Sequence, residues 1–307
     1  MTETDKIATG LPATRDDAQW TRVIQPQRGL FSVPLSEIWA YRDLLLLLVR
    51  RDFVALYKQT VLGPIWFIIQ PVMMTIVFTI VFGNIANIST DGVPHTVFYL
   101  AGITMWTFFA DAFTKTSETF ILNANIFGKV YFPRVIVPLS VVLSGLLKFA
   151  VQFAILVGFV IYFTLTTEIV RPNWAVLLLP VLLLMMGALG LSLGMIISAL
   201  TTKYRDLRFL MQFGVQLLMY ATPVIYPVST LPEAYRVYIL ANPITPIVET
   251  FRYAFVGRGD FDPMHLAYSG GVILILLLVA AVIFNQVEKN FMDTVWARSA
   301  QAPCRMT

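Results

Sequence analysis

The stretch from Gln59 to Thr90 contains no Asp, Glu, Lys or Arg, and nothing else in the chain limits its fold as strictly. One such residue at the centre of a spanning helix costs roughly 2.5 to 3.5 kcal/mol on insertion scales, and about 20 apolar residues cross a bilayer. The run therefore predicts a membrane-spanning helix with residues to spare. Just before it, Arg50, Arg51, Asp52 and Lys58 are clustered, and Gly63-Pro64 marks the change from charged to apolar sequence. A surface element meets a membrane span there.

The same constraint recurs along the chain. Hydrophobic residues make up 57% and charged residues only 13% of the 307 positions, far from the balance of a soluble domain. Charge-poor windows predict six transmembrane helices, near Ile65 to Ile85, Val97 to Thr114, Val135 to Phe163, Trp174 to Leu200, Phe209 to Val224 and Leu266 to Phe284. The fold class is an all-α membrane protein. Lys148 lies inside the third window, so that helix is expected to be broken or tilted, or to turn Lys148 to the protein interior or a wet cavity.

A net charge of +4 does not point to nucleic acid, because the basic residues gather on one side of the predicted membrane rather than on one soluble face. Eight Lys and Arg residues precede the first window, and three each fall in the second connection, the fourth connection and the tail. Only Arg171, Arg236, Arg252 and Arg258 lie on the other side. The crowded side is expected to be cytoplasmic, with both termini inside. Cys304 is the only cysteine, which excludes an internal disulfide, and the Cys/His spacing of a metal site is absent. Residues 1–35 are polar, contain Pro12, Pro26 and Pro34, and read as a cytoplasmic tail rather than a cleavable signal. Residues 36–290 form the transmembrane domain and 291–307 a second cytoplasmic tail.

Two further elements emerge from periodicity and breakers. Between Ser36 and Lys58, Asp43, Arg50, Arg51 and Lys58 share one arc of a helix, with Ile38, Leu45, Leu48, Val49 and Leu56 opposite. This predicts an amphipathic helix lying in the membrane interface. The segment Ile225 to Pro263 is too apolar for a solvated loop, and Pro227, Pro232, Pro243 and Pro246 interrupt it. Pro232 before Glu233, and Thr245 before Pro246, are helix-start signals. They predict helices over Glu233 to Leu240 and Pro246 to Val256, within 230–257. These form either a re-entrant hairpin gating an external mouth or a cap lying flat on the surface.

Three motifs need weighing. Gly190-Leu191-Ser192-Leu193-Gly194 fits the pattern of a serine nucleophile. A membrane-embedded serine hydrolase is thus a rival reading, yet His95 and His265 both fall near the outer surface and no base is at hand. Small residues at four-residue spacing are expected to serve close helix packing instead. Gly128-Lys129 lacks the earlier glycine of a phosphate-binding loop, so any ATP hydrolysis belongs to another polypeptide. The connections 123–134 and 202–208 mix basic and aromatic residues, as a docking helix would and as a solvated loop also could.

Together, Tyr57-Lys58-Gln59-Thr60-Val61-Leu62-Gly63-Pro64-Ile65-Trp66, the segment Asn123 to Arg134 ending Lys-Val-Tyr-Phe-Pro-Arg, Tyr204-Arg205-Asp206, Thr222-Pro223-Val224-Ile225-Tyr226, Asn242-Pro243 and Phe251-Arg252 closely resemble one family. It is the permease subunits of ABC type-2 exporters of lipid-linked polysaccharides, such as O-antigen, capsule and teichoic acid. The resemblance covers residues 36–290 in order. It implies a bacterial inner-membrane homodimer that binds two copies of a cytoplasmic ATPase and moves a polyprenyl-pyrophosphate-linked glycan. ATP and magnesium would be held by the partner, with no cofactor in this chain. By the same resemblance 123–134 is a coupling helix, with Asn123, Asn125, Lys129, Tyr131 and Arg134 facing the ATPase beside Tyr204, Arg205 and Asp206. Glu233 to Val256 is the external gate, with Tyr226, Glu233, Asn242, Glu249 and Arg252. Arg50, Arg51 and Lys58 suit the lipid pyrophosphate at the inner entrance. Trp66, Phe67, Trp106, Phe109 and Tyr220 are expected to line a tunnel for sugar rings. A small-lipid or drug exporter of the same superfamily is the alternative.

Overall fold

A computed structural model describes residues 35–58, 63–123, 132–167, 169–201, 204 and 206–300. Helices alone build it, with no strand among the described residues. The order is α1 (Leu35–Ala40), α2 (Arg42–Lys58), α3 (Trp66–Phe78, continued by a π-helical turn over Thr79–Ile85), α4 (His95–Ser117), α5 (Thr119–Leu122) and α6 (Ile136–Thr167). Then follow α7 (Leu179–Thr201, entered through a 3₁₀ turn at Trp174–Leu178), α8 (Leu207–Tyr220), α9 (Glu233–Ala241), α10 (Ile244–Val256) and α11 (Pro263–Ala300).

Five of these helices are long and apolar enough to cross a membrane: Trp66–Ile85, His95–Ser117, Ile136–Thr167, Trp174–Thr201 and Pro263–Gln286. The expected fifth span is shorter than the others. Its helix, α8, stops at Tyr220 after 14 residues and rises about 21 Å, less than the roughly 30 Å of a hydrocarbon core. The third span is an unbroken helix of 32 residues. α11 runs on to Ala300, so the expected second tail is helical over 291–300. No Gly or Pro occurs between Gly271 and Pro303, so nothing in the sequence halts that helix where the apolar run ends.

The bundle is organised around α4. In its apolar window 78% is buried, against 17% to 39% in the other four spans. Small residues let neighbours come close: a Cβ on Gly190 would sit 2.8 Å from Ala112 Cβ, and one on Gly194 would sit 2.5 Å from Thr116 Cβ. The Gly-x-Ser-x-Gly segment is thus the seam between α7 and α4, and Ser192 is fully buried with its hydroxyl donating to Leu189 O at 3.0 Å. His95 lies at the far end of α4, against Gly83 and Tyr99. Packing, not nucleophilic chemistry, accounts for the motif.

Both helices expected between the last spans form. α10 begins at Ile244 rather than at Pro246, because Asn242 does the capping: its Oδ1 accepts from Ile244 N at 3.1 Å. Pro246 still falls in the first turn, where no donor is needed. α9 has no buried residue, whereas α10 is buried along almost its whole length. At the opposite end of the bundle, α1 and α2 are separated by a turn at Tyr41, and the chain enters α3 through Gly63, whose φ of +53° favours glycine. Tyr41, Leu44, Leu45 and Leu48 pack on Phe120, Phe132, Ile136, Met195 and Phe284. The expected apolar arc is therefore turned inward at Leu45 and Leu48, and Asp43, Arg50 and Arg51 are exposed.

Candidate functional site

Two clusters of polar contacts mark the two ends of the bundle. At the end where α4 gives way to α5, three links between distant segments join α4 and α5 to α7 and α8. Arg208 Nε donates to Glu118 Oε1 at 2.6 Å. Thr201 Oγ1 donates to Ser117 O at 3.4 Å, and Phe120 N donates to Ser198 Oγ at 3.4 Å. Phe120 also stacks on Phe284 of α11, ring centroids 4.7 Å apart. Two segments singled out by sequence, the one beginning at Asn123 and the one at Tyr204 to Asp206, therefore start from a shared anchor. Asn123 closes α5, its amide donating to Thr119 O at 3.1 Å. Arg134 is buried, Tyr204 is exposed and Asp206 is exposed just before α8. Asn125, Lys129, Tyr131 and Arg205 lie outside the described residues, as do residues 1–34 and 301–307.

Glu118 and Arg208 were not among the expected site residues. Their signal was a charge at the end of each of two predicted spans, which fits any positive-inside loop. What selects them is their meeting across 90 positions of sequence.

At the other end, α9 and α10 are fastened to the rest through α10. Arg252 and Glu249 are 1% and 3% exposed, with Arg252 Nη1 3.1 Å from Glu249 Oε1. Arg252 Nη2 also donates to Val224 O at 2.6 Å, and the guanidinium lies 3.9 Å from the Phe98 ring centroid. Glu249 Oε2 accepts from Asp260 N at 3.4 Å. Burial pushes the Glu249 carboxyl above its ordinary range, and the Arg252 guanidinium pulls it back. Tyr226 OH donates to Tyr220 O at 2.9 Å, and Asn242 Nδ2 donates to Thr222 Oγ1 at 3.0 Å. Tyr226, Asn242 and Arg252 thus all hold the segment that follows α8. Glu233 is exposed in the first turn of α9.

Lys148 faces the protein, its ammonium donating to Asp111 Oδ2 on α4 at 2.8 Å. The pair places one cation and one anion together within two membrane spans. Of the aromatics expected in a tunnel, Phe67, Trp106 and Phe109 are buried by this chain's own helices, while Trp66 and Tyr220 are exposed. Arg50 and Lys58 are exposed on α2, and Arg51 is paired with Asp52 at 2.8 Å. No group of three or more metal-type ligands occurs among the described residues.

The described residues thus form a multi-pass helical protein whose charges pair between helices and whose polar links tie its two ends to its core. Residues 43–256 match the ABC-2 type transporter family, and the chain belongs to it. It is 27% identical over 252 residues to an O-antigen export system permease protein of Klebsiella pneumoniae, covering 82% of this chain and 94% of that one. Against the permease of the same description from Myxococcus xanthus the identity is 27% over 263 residues, covering 85% and 98%. A polysialic acid transport protein of Escherichia coli is 20% identical over 235 residues, covering 76% and 89%.

Proposed function

We propose that this chain is the transmembrane half of an ATP-driven exporter that moves lipid-linked polysaccharide across the bacterial inner membrane. It works as a homodimer with two copies of a separate cytoplasmic ATPase. The observation that carries the reading is the similarity to the two O-antigen export permeases, which extends over nearly their whole lengths. The excess of Lys and Arg orients the chain, with the Glu118 end cytoplasmic and the α9 and α10 hairpin outside. α7 ends beside Ser117 and α11 starts beyond the hairpin, so the chain must cross once between them, through α8 and the segment after it. That supports six passes.

A glycan longer than the bilayer is thick cannot be enclosed within a cavity and needs a continuous passage between two copies. Movement of the 123–134 segment by the ATPase would reach α4, α5, α7 and α8 at once through their shared anchor. Lys129→Glu is the cleaner test of this segment, because Arg134 is buried and its reversal would also strain the fold. With Lys129→Glu, ATP turnover by the assembled complex is expected to continue while surface polysaccharide falls at least ten-fold. Unchanged export at normal protein level removes the coupling role, and export without any ATPase removes the whole reading. Mass spectrometry of lipid purified with the complex separates a glycan carrier from a small-lipid or drug cargo.

A further inference from the structure

Four polar side chains recur at four-residue spacing on α6: Ser140, Ser144, Lys148 and Gln152. That spacing stacks them along one side of the helix. The two serines are satisfied locally, Ser140 Oγ donating to Val137 O at 2.8 Å and Ser144 Oγ donating to Ser140 O. Lys148 donates to Asp111 Oδ2 of α4 at 2.8 Å, and an ammonium has two more donors to place. Gln152 stands apart. It is 1% exposed, and its Nε2 has no hydrogen-bond partner among the described residues.

An amide left unpaired in a protein interior is costly, and it calls for an acceptor. The walls around it are apolar: Phe149, buried between Lys148 and Gln152 in sequence, packs on Phe108 of α4 with ring centroids 5.6 Å apart. An ion of either sign fits poorly, since a cation would meet the Lys148 ammonium and an anion the Asp111 carboxylate. A water molecule suits all three groups. It accepts from the ammonium and the amide and donates to the carboxylate, and buried waters typically make about three such bonds. Two groups joined through one water lie about 5.6 Å apart, twice a bond of about 2.8 Å. Side chains one helical turn apart are separated by that much.

We infer that one water molecule is bound between Lys148 and Gln152, as a fixed part of the contact between α4 and α6. Gln152 thereby becomes the third member of the Asp111 and Lys148 pair. α4 with α5 precedes the 123–134 segment and α6 follows it, so the bound water helps tie together the helices on its two sides.

Water split by radiation oxidises the side chains beside it, so pulsed X-ray footprinting of the full chain reconstituted in lipid reads the site. Phe149 is expected to be oxidised about five-fold faster or more than Phe109, which is buried among the rings of Trp106 and Phe113. In Gln152→Leu, which removes the amide at similar volume, the Phe149 rate is expected to fall to that of Phe109. Equally slow oxidation of the two rings in the unsubstituted protein overturns the inference. Fast Phe149 oxidation that persists in folded Gln152→Leu also overturns it, because the water then has another source. Cryo-electron microscopy of the unsubstituted protein decides the matter even if Gln152→Leu does not fold. A density peak within about 3.2 Å of both Lys148 Nζ and the Gln152 amide is expected, and a direct bond between the two side chains with no peak between them overturns the site.

Discussion

The two ends of the bundle each carry an arginine and glutamate pair, and the two pairs are built for different duties. Arg252 and Glu249 are sealed from solvent and share three further partners: a backbone carbonyl, a backbone N–H and the face of Phe98. Such a pair is costly to break from one side, because the remaining charge is left buried. Arg208 and Glu118 meet through one short contact with 43% and 16% of their side chains exposed, where water can replace either partner. The first arrangement fixes α10 to α4. The second joins α4 and α5 to α8 by a contact for which water can compete.

That contrast can be broken in graded steps. Arg252→Ala is predicted to cost about 3–5 kcal/mol, read as loss of folded protein in detergent and a lower Tm. Gly102→Ala should cost about 1–3 kcal/mol, because the added methyl meets Arg252 Nη2 at 2.7 Å and Val224 O at 2.9 Å; thermal unfolding checks it. Glu118→Arg should change stability by about 1 kcal/mol or less yet cut export, and combining it with Arg208→Glu should restore export. Failure of the double variant at full expression would show that the two charges do not act through each other. Ser192→Ala is predicted to leave both stability and export unchanged, and loss of export in that variant would revive a nucleophilic role.

Much of this molecule was legible in its residues, and what was hidden follows a rule. Spans, the prolines that set off α9 and the position of α10 leave local traces in charge, periodicity and breakers. Pairings across the fold leave none. Lys148 stood out as a charge in a span, but nothing marked Asp111 as its partner, since the two come together only when α4 and α6 pack. Trp106 and Phe109 were expected to line a tunnel, and their burial within this chain left no trace in the sequence, because a helix buried on all sides shows no polar stripe, and α4 is that helix. The overrun of α11 past residue 290 was missed because hydropathy reports where lipid ends, not where a helix does.

The Lys148 and Asp111 pair also has a meaning for how the chain is made. Each of the two helices, taken singly, carries a charge that the bilayer resists, at up to roughly 2.5 to 3.5 kcal/mol for a helix centre and less toward the helix end where Asp111 lies. Asp111 is synthesised first and has no counter-ion until Lys148 emerges. The second span is therefore expected to linger at the insertion machinery until the third arrives, so that the two enter the lipid as a neutral couple, and Lys148→Met should leave the earlier helix stranded during biosynthesis.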